Sequence, residues 1–270
     1  AGRSDDKLAS PPPAGRAGTG APPLLGQPTA HGNGMSTLNR LVLWNIDHTL
    51  VDVGRVTRDA YAEAFQRTIG RPLVRLAPTP GRTESEIIFE TLAFNDVVTT
   101  DDHLPAFFDA LTEAFASRRA GLRDHGRVLT GAREAVEALA HVPGVVQSVL
   151  TGSLQPNAVL KVTELGLAGH LDLAAGGYEN GVYSKAALLE LARARAGERH
   201  GARYPEAATV YIADSPRDVQ AAHIAGSPII AVATGSATEA ELRVAGADRV
   251  LSTLADTNAV VSAVADLTRI

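Results

Sequence analysis

Four groups of polar residues follow short apolar runs or open helical patterns, in an order that could build one catalytic site. The groups are Asn45, Asp47 and Thr49, then Thr151 and Gly152, then Lys185, and finally Asp214 and Asp218. Carboxylates can hold a divalent cation, and a lysine ammonium with a hydroxyl can bind the oxygens of a phosphoryl group. These residue types suit phosphoryl transfer, in which the negative oxygens must be neutralised while a nucleophile approaches. An all-oxygen site of few carboxylates favours Mg²⁺.

Several of these residues also have a purely structural explanation. The segment SPRD is typical of a helix start, so Asp218 could be only a capping acid. Thr151 could be an ordinary turn hydroxyl, and Lys185 could lie on a solvated helix surface. The functional interpretation is favoured for Asp218 because Asp214 precedes it at a strand end. It is favoured for Lys185 because of its order in the series.

The elements that would position these groups alternate along the chain. Strand-like runs are LVLWNI, VVQSVL, LDLAA, TVYIA, PIIAVA and DRVLS, and helical patterns between them include PNAVLKVTELGLAG, KAALLELARARAG and SPRDVQAAHIAG. Each of these helical patterns ends at a Gly, which suits a helix C-terminus. The alternation predicts an α/β fold with a parallel sheet of five or six strands covered on both faces. Such sheets bind ligands beyond the carboxyl ends of their strands, where the polar groups stand.

A long interval between the first two strand-like runs breaks the alternation. It contains the helical patterns TRDAYAEAFQRTIG, TESEIIFETLAF and DDHLPAFFDALTEAFASRRAGL, and no convincing strand. We therefore predict an α/β core at residues 35–53 and 128–270 and an inserted helical cap at residues 54–127. All six Phe of the chain fall in this insertion, which favours a small hydrophobic core of its own there. An insertion after the first strand would hang over the ligand site as a lid.

The segment PGRTESEI, inside the insertion, has two explanations of about equal weight. Thr83 and Glu86 have the spacing of a capping box, which would make the segment only a helix start. Alternatively, Gly81, Arg82 and Thr83 form a turn of the lid that reaches toward the substrate. Arg82 and Thr83 are therefore candidate substrate-binding residues.

These motifs together resemble those of the haloacid dehalogenase superfamily. The family has D-x-D-x-T after its first strand, a Ser or Thr after a later strand, a Lys, and an acidic D-x-x-x-D. They stand here as NIDHT, LTG, SK and ADSPRD, in the same order. The helical insertion further resembles the phosphoglycolate phosphatase and phosphoglucomutase-like branch. The resemblance implies a Rossmann-like core with a helical cap, although His48 stands where the family usually has Gly.

The resemblance also implies a role for each residue. Position 45 would be the nucleophile and a metal ligand, and Asp47 the general acid and base whose main-chain carbonyl also binds Mg²⁺. Asp214 would be a direct metal ligand and Asp218 a supporting one, with Thr151 and Lys185 binding the phosphoryl group. The substrate-binding candidates are Thr49, Gly152, Arg82 and Thr83.

Asn45 departs from the family motif at its most important position. An amide is nearly isosteric with a carboxylate, but it is neutral and a very poor nucleophile. We therefore expect the scaffold of a Mg²⁺-dependent hydrolase of small phosphate monoesters, in a chain that is itself inactive or strongly impaired. Three origins of Asn45 stay open: an engineered substitution in a working enzyme, a natural catalytically silent relative that binds a phosphorylated ligand or a protein, or a different chemistry.

Composition limits the other function classes. The chain has 45% apolar and 20% charged residues and a net charge of -5, which argues against a nucleic-acid partner. It has no Cys, which excludes disulfides and thiol nucleophiles, and its His residues lack the spacing of a zinc site. No apolar run approaches the roughly 20 residues of a membrane helix. We expect a cytoplasmic monomer or homodimer that binds a small phosphorylated metabolite.

The first 34 residues differ in composition from the rest of the chain. They are rich in Gly and Pro, show no periodicity and precede Met35, which is the only Met. Such a segment cannot build a core. We expect residues 1–34 to be an artificial leader or a disordered extension.

Overall fold

Eight strands form one sheet and one short ribbon in the computed structural model, which describes residues 39–181 and 184–268. The strands are β1 Arg40–Trp44, β2 Val51–Asp52, β3 Arg127–Val128, β4 Val145–Leu154, β5 Gly177–Glu179, β6 Thr209–Ala213, β7 Ile229–Val232 and β8 Arg249–Leu251. Six of them form a parallel sheet in the order β5-β4-β1-β6-β7-β8. Strand β1 therefore lies at the centre, between β4 and β6. The predicted leader lies outside the described residues.

Ten α-helices accompany the strands in the described part of the chain. They are α1 Gly54–Ile69, α2 Glu84–Phe94, α3 His103–Ser117, α4 Arg119–His125, α5 Ala132–Ala140, α6 Gln155–Glu164, α7 Lys185–His200, α8 Pro216–Ile224, α9 Glu239–Val244 and α10 Thr257–Leu267. None of these helices is long and apolar enough to cross a membrane.

The central strand shows how the sheet separates two hydrophobic cores. Val42 and Trp44 of β1 belong to one buried cluster, which also contains apolar residues of α5, α6 and α10. Leu41 and Leu43 point to the opposite face, where they pack with residues of α7, α8 and α9. All four side chains are fully buried, because successive residues of a strand alternate between two covered faces. The predicted α/β fold with a parallel sheet covered on both faces is confirmed.

Two local expectations are wrong. The run LDLAA does not form a strand, because Leu173–Ala175 is a 3₁₀ turn whose preceding residue, Asp172, accepts a hydrogen bond from the backbone N–H of Ala174. The strand that pairs with β4 is β5, which follows this turn. The insertion also begins and ends in a strand that was not predicted. Strands β2 and β3 pair antiparallel, with Val51 opposite Val128, and so bring the two ends of the insertion together.

Helices α1 to α4 lie between β2 and β3 and form the inserted helical cap. The expectation of a separate hydrophobic core for this cap is wrong. Phe65, Phe107 and Phe115 belong to the same buried cluster as Trp44 and Val42 of the central strand. The cap therefore packs on one end of the sheet through a continuous apolar contact. The exact boundaries of the cap, at residues 54 and 127, stay a prediction.

Replacement of Phe107 by Ala is expected to destabilise the whole fold. The Phe107 side chain is fully buried, and its ring lies 6.0 Å from that of Tyr61 and 6.5 Å from that of Phe65. Loss of a buried Phe costs about 3–5 kcal/mol in free energy of unfolding. Val98→Ala is the control, because Val98 is 85% exposed. Urea unfolding measures both variants, and a loss confined to a separate early transition would contradict one continuous core.

Candidate active site

A cavity of 670 Å³ opens at the carboxyl ends of β1 and β4, between the sheet and the cap. Six of the predicted site residues line it: Asn45, Asp47, Arg82, Thr151, Gly152 and Lys185. The other four predicted residues, Thr49, Thr83, Asp214 and Asp218, are buried and are not part of its lining. The cavity also has lining residues that the sequence did not suggest, among them Tyr61, Glu84, Ser153 and Lys161.

Asn45 directly follows β1 and lies beside the end of β6. Its backbone N–H donates to the carbonyl of Ile212 in β6, which places it beside Asp214, two residues further along. Its side-chain Nδ2 donates to the main-chain carbonyl of Asp47 at 3.0 Å and to Oδ1 of Asp214 at 2.9 Å. A third contact, of 3.3 Å, reaches Oγ1 of Thr49. The amide therefore holds together three oxygen atoms from two strand ends.

Asp214 lacks a cationic partner within the described residues. Its Oδ1 accepts a hydrogen bond from the Thr49 hydroxyl at 2.8 Å in addition to that from Asn45. Its Oδ2 is buried without a hydrogen-bond partner and lies against Gly235, where a Cβ would be only 2.1 Å away. Burial and the charge of Asp218 raise the pKa of Asp214 to about 6. Thr49 thus orients Asp214 and does not face the cavity.

Asp218 is fully buried and is surrounded by donors. Lys185 Nζ donates to its Oδ1 at 2.5 Å, Tyr211 donates to the same oxygen at 2.9 Å, and the Ser215 hydroxyl donates to Oδ2. Ser215 also caps helix α8 by accepting a bond from the Asp218 N–H. The helix start is therefore real, but its cap is the Ser215 side chain and not the Asp218 carboxylate. That carboxylate is the counter-ion that holds Lys185 at the cavity.

Thr151 and Gly152, near the end of β4, make different contacts. The Thr151 hydroxyl accepts a hydrogen bond from the Ser153 N–H at 3.1 Å, so the turn arrangement is present, and Thr151 also lines the cavity. Gly152 is where the cap touches the core. A Cβ at Gly152 would lie 2.2 Å from the carbonyl oxygen of Arg82 and 2.7 Å from Cα of Thr83. Only Gly allows this close approach of two backbones.

The cap turn at Gly81 to Thr83 shows features of both explanations that the sequence left open. Thr83 and Glu86 form a complete capping box at the start of α2, with both reciprocal bonds. Arg82 forms an ion pair with Glu90 of the same helix and lines the cavity. The segment is therefore a helix start that also forms part of the cavity wall. No substrate contact is assigned to Thr83, which is buried behind that wall.

Lys161 is the most important residue that the sequence analysis missed. Its Nζ donates to both carboxylate oxygens of Asp47, at 3.0 and 2.8 Å, and to Oγ of Ser153 at 3.2 Å. The side chain is only 2% exposed and lies 5.0 Å from the Phe115 ring. Burial raises the pKa of Asp47, but the Lys161 ammonium outweighs it, so that the net pKa lies below its usual range.

A buried acid of the cap borders the same cavity. Glu84, in the first turn of α2, is 4% exposed and accepts a hydrogen bond from the Tyr61 hydroxyl. Burial is the main cause that raises the pKa of Glu84 to about 8, although the Lys161 charge opposes it. At neutral pH this carboxyl is mainly protonated, whereas Asp47 is ionised. The cavity thus has a neutral acid on the cap side and an ion pair on the core side.

His48 gives the loop after β1 a strained backbone. Its φ is 64°, in the left-handed region that Gly adopts readily and other residues rarely adopt. The loop is held by a bond from the His48 N–H to the Val51 carbonyl at 2.7 Å. Thr234, which follows β7, donates to the His48 carbonyl at 2.6 Å. These two contacts keep the main chain of Asp47 turned toward Asn45.

The site of this chain does not fit Mg²⁺ as it stands. The amide of Asn45 donates to two oxygens, the Asp47 carbonyl and Asp214 Oδ1, that the family resemblance assigns to the metal. Both carboxylate oxygens of Asp218 already accept hydrogen bonds, from Lys185, Tyr211 and Ser215. Within the described residues, no group of three His, Cys, Asp or Glu side chains is placed to hold a metal ion. One atom, the unpartnered Oδ2 of Asp214, would still suit a cation.

Lys161→Met is expected to lower the free energy of unfolding because it leaves the Asp47 carboxylate without its counter-ion. Breaking such a pair costs about 3 kcal/mol, the low end of the range for buried pairs, because Asp47 keeps 31% of its side chain exposed. The matched test is a double-mutant cycle with Asp47→Asn, measured by urea unfolding. The loss should be much smaller in the Asp47→Asn background. Equal losses in both backgrounds would mean that Lys161 acts only through packing.

Glu84 is expected to make the fold less stable as the pH rises. The carboxyl ionises near pH 4.5 in the unfolded chain but only near pH 8 in the folded one. The folded state therefore binds more protons in this window, and stability falls from about pH 5 to about pH 8. Glu84→Gln keeps an acceptor for Tyr61 and removes the titration. Urea unfolding at several pH values should show a flatter profile for this variant, and parallel profiles would contradict the assignment.

The chain is similar to known proteins both in sequence pattern and in fold. Residues 42–223 match the family model of haloacid dehalogenase-like hydrolases. CbbY from Rhodobacter sphaeroides, solved in complex with phosphate, is 22% identical, with a TM-score of 0.61 and coverage of 81% of this chain and 96% of CbbY. No curated protein sequence matches the chain.

Two further solved structures share the fold. A proposed beta-phosphoglucomutase from Bacteroides vulgatus is 20% identical, with a TM-score of 0.63 and coverage of 87% of this chain and 93% of that one. A predicted phosphoglycolate phosphatase from Haemophilus somnus is 16% identical, with a TM-score of 0.54 and coverage of 84% and 100%. At these identities the structures support the fold, and the family rests on the match over residues 42–223. The chain belongs to the haloacid dehalogenase-like hydrolase family.

Proposed function

We propose that this chain has the scaffold of a Mg²⁺-dependent hydrolase of small phosphate monoesters, and that Asn45 leaves it inactive or strongly impaired. The observation that carries the proposal is the convergence of Asn45, Asp47, Thr151 and Lys185 on one cavity. These residues come from the ends of two neighbouring strands and the start of a helix. The family membership of the chain supports a hydrolase scaffold of the phosphatase type.

Each side chain has a part that follows from its chemistry. The Lys185 ammonium and the Thr151 hydroxyl would bind the oxygens of the phosphoryl group, since both line the cavity. Asp47 would act as the general acid and base, which requires that it take up a proton and leave its ion pair with Lys161 before it protonates the leaving oxygen; as a carboxylate it would then take a proton from water. The nucleophile would be a carboxylate at position 45, which attacks phosphorus and releases the alcohol. Asn45 cannot take this part, because its nitrogen only donates hydrogen bonds and its oxygen is neutral.

Mg²⁺ is the cofactor we propose for the Asn45→Asp form. That form would offer two carboxylates and a main-chain carbonyl, an all-oxygen set that suits this ion. Bound there, the cation would neutralise charge on the phosphoryl group. The ligand class we propose is a small phosphorylated metabolite, which fits a cavity of 670 Å³. We propose a cytoplasmic monomer or homodimer.

A second candidate is a non-catalytic module that binds a phosphorylated ligand or a protein. The contacts that favour it are those that occupy the catalytic groups. Asn45 is bonded to Asp214, and both oxygens of Asp47 are bonded to Lys161. These groups are stable partners of one another in the absence of any reaction. The two candidates differ in whether a carboxylate at position 45 restores turnover.

Release of inorganic phosphate from a panel of small phosphate esters tests the proposal. The Asn45 chain and its Asn45→Asp form are compared in Mg²⁺. We expect the Asn45 chain to be slower by at least about a thousandfold, because loss of a nucleophile removes the covalent route. Asn258→Asp is the control, since it adds the same charge at an exposed position of α10.

The outcomes separate the candidates. Turnover by the Asn45→Asp form alone supports the hydrolase, and the preferred ester begins to name the substrate. If neither form releases phosphate while phosphate esters still raise the melting temperature of both, the binding module is the better account. If the Asn45 chain turns over as fast as the Asn45→Asp form, position 45 is not the nucleophile.

A further inference from the structure

We propose that the amide of Asn45 takes the structural place of the divalent cation in this chain, so that the site binds a phosphate oxyanion without a metal. The ligand named here rests on the proposed function. The claim about the metal does not, because it follows from contacts between the protein's own atoms. Those contacts link the loop after β1 to the end of β6.

The Asn45 amide binds oxygen atoms of two other residues of the site. Asn45 Nδ2 lies 3.0 Å from the Asp47 carbonyl oxygen and 2.9 Å from Asp214 Oδ1. The Asp47 carbonyl and the Asp214 carboxylate are the groups that the family resemblance assigns to the metal. The orientation of the amide is fixed by its neighbours. Rotation that exchanged Oδ1 for Nδ2 would set three oxygens against one another with no proton between them.

Two lysines each neutralise one carboxylate of the site: Lys161 pairs with Asp47 and Lys185 pairs with Asp218. Asp214 alone has no ion pair within the described residues, and its Oδ1 is stabilised by N–H and O–H donors from Asn45 and Thr49. One carboxylate held by neutral donors is a tolerable arrangement in a buried site.

A carboxylate at position 45 would change this balance of charge. Asn45→Asp would set a second uncompensated carboxylate against Asp214 and remove the amide donor that now links Asp214 Oδ1 to the Asp47 carbonyl. Two neighbouring carboxylates repel, and burial makes the repulsion stronger. A divalent cation between them would neutralise both carboxylates, so we expect it to stabilise that form. The present chain needs no such cation, because an N–H group already fills the bridging position.

One atom argues for the opposite arrangement and sharpens the test. Asp214 Oδ2 is buried without a hydrogen-bond partner. A buried unpartnered carboxylate oxygen is typical of a site that awaits a cation. If a metal binds the present chain, this oxygen is its most direct ligand. The effect of Mg²⁺ on the Asn45 chain therefore decides between the two arrangements.

The experiment measures melting temperature in EDTA and in millimolar Mg²⁺, each with and without inorganic phosphate. It compares the Asn45 chain, Asn45→Asp and Asn258→Asp. We expect Mg²⁺ to leave the melting temperature of the Asn45 chain unchanged, and phosphate to raise it equally in EDTA and in Mg²⁺. Asn45→Asp should melt below the Asn45 chain in EDTA and rise by several degrees on addition of Mg²⁺. Asn258→Asp should respond like the Asn45 chain.

Three results would overturn the proposal. They are stabilisation of the Asn45 chain by Mg²⁺, a phosphate effect on that chain that requires Mg²⁺, and an Asn45→Asp form that is as stable as the Asn45 chain in EDTA. Failure of the proposed function gives a different result. In that case phosphate changes the melting temperature of none of the three proteins, while the comparison of EDTA with Mg²⁺ still decides the place of the metal.

Discussion

Compensation of negative charge at the ends of β1 and β6 is the constraint on which the rest of the site depends. Asp47, Asp214 and Asp218 are brought together because the two strands are neighbours in a parallel sheet. Each carboxylate needs a donor that reaches it without water. Lys161 comes from α6, Lys185 from the start of α7, and the Asn45 amide from the residue that directly follows β1. Helices on both faces of the sheet thus supply the charges that its strand ends lack.

The cap is part of this arrangement through two close backbone contacts. Gly152 lies against the backbone of Arg82 and Thr83, and a Cβ at Gly81 would lie 2.3 Å from the Ser215 hydroxyl. The turn of the cap therefore touches the ends of both β4 and β6. Because the apolar cluster also continues from the cap into the sheet, the cap packs against the core through apolar as well as backbone contacts.

The sequence allowed the sheet and the order of its polar strand ends to be predicted, because both depend on local patterns. Short apolar runs identified β1, β4, β6, β7 and β8. The prediction of a strand at LDLAA was wrong because the Asp172 side chain accepts a hydrogen bond from the backbone of its own turn. Such a bond stabilises a turn in place of a strand, and a hydrophobicity pattern does not reveal it. The continuous core was missed for a similar reason. The positions of the Phe residues in the sequence show that they lie in the insertion, but they do not show that these residues pack against the sheet.

Lys161 shows where prediction from residue types ends. It stands in a helix among apolar residues, and a single Lys in such a pattern is normally read as surface. Its position becomes meaningful only when α6 is placed beside the loop after β1, where Lys161 and the buried Asn157, one helical turn apart, face the same way. Asn45 was conspicuous because a motif surrounds it, whereas Lys161 has no motif. Yet both residues have the same effect, since Lys161 gives Asp47 and Asn45 gives Asp214 hydrogen bonds that water would otherwise provide.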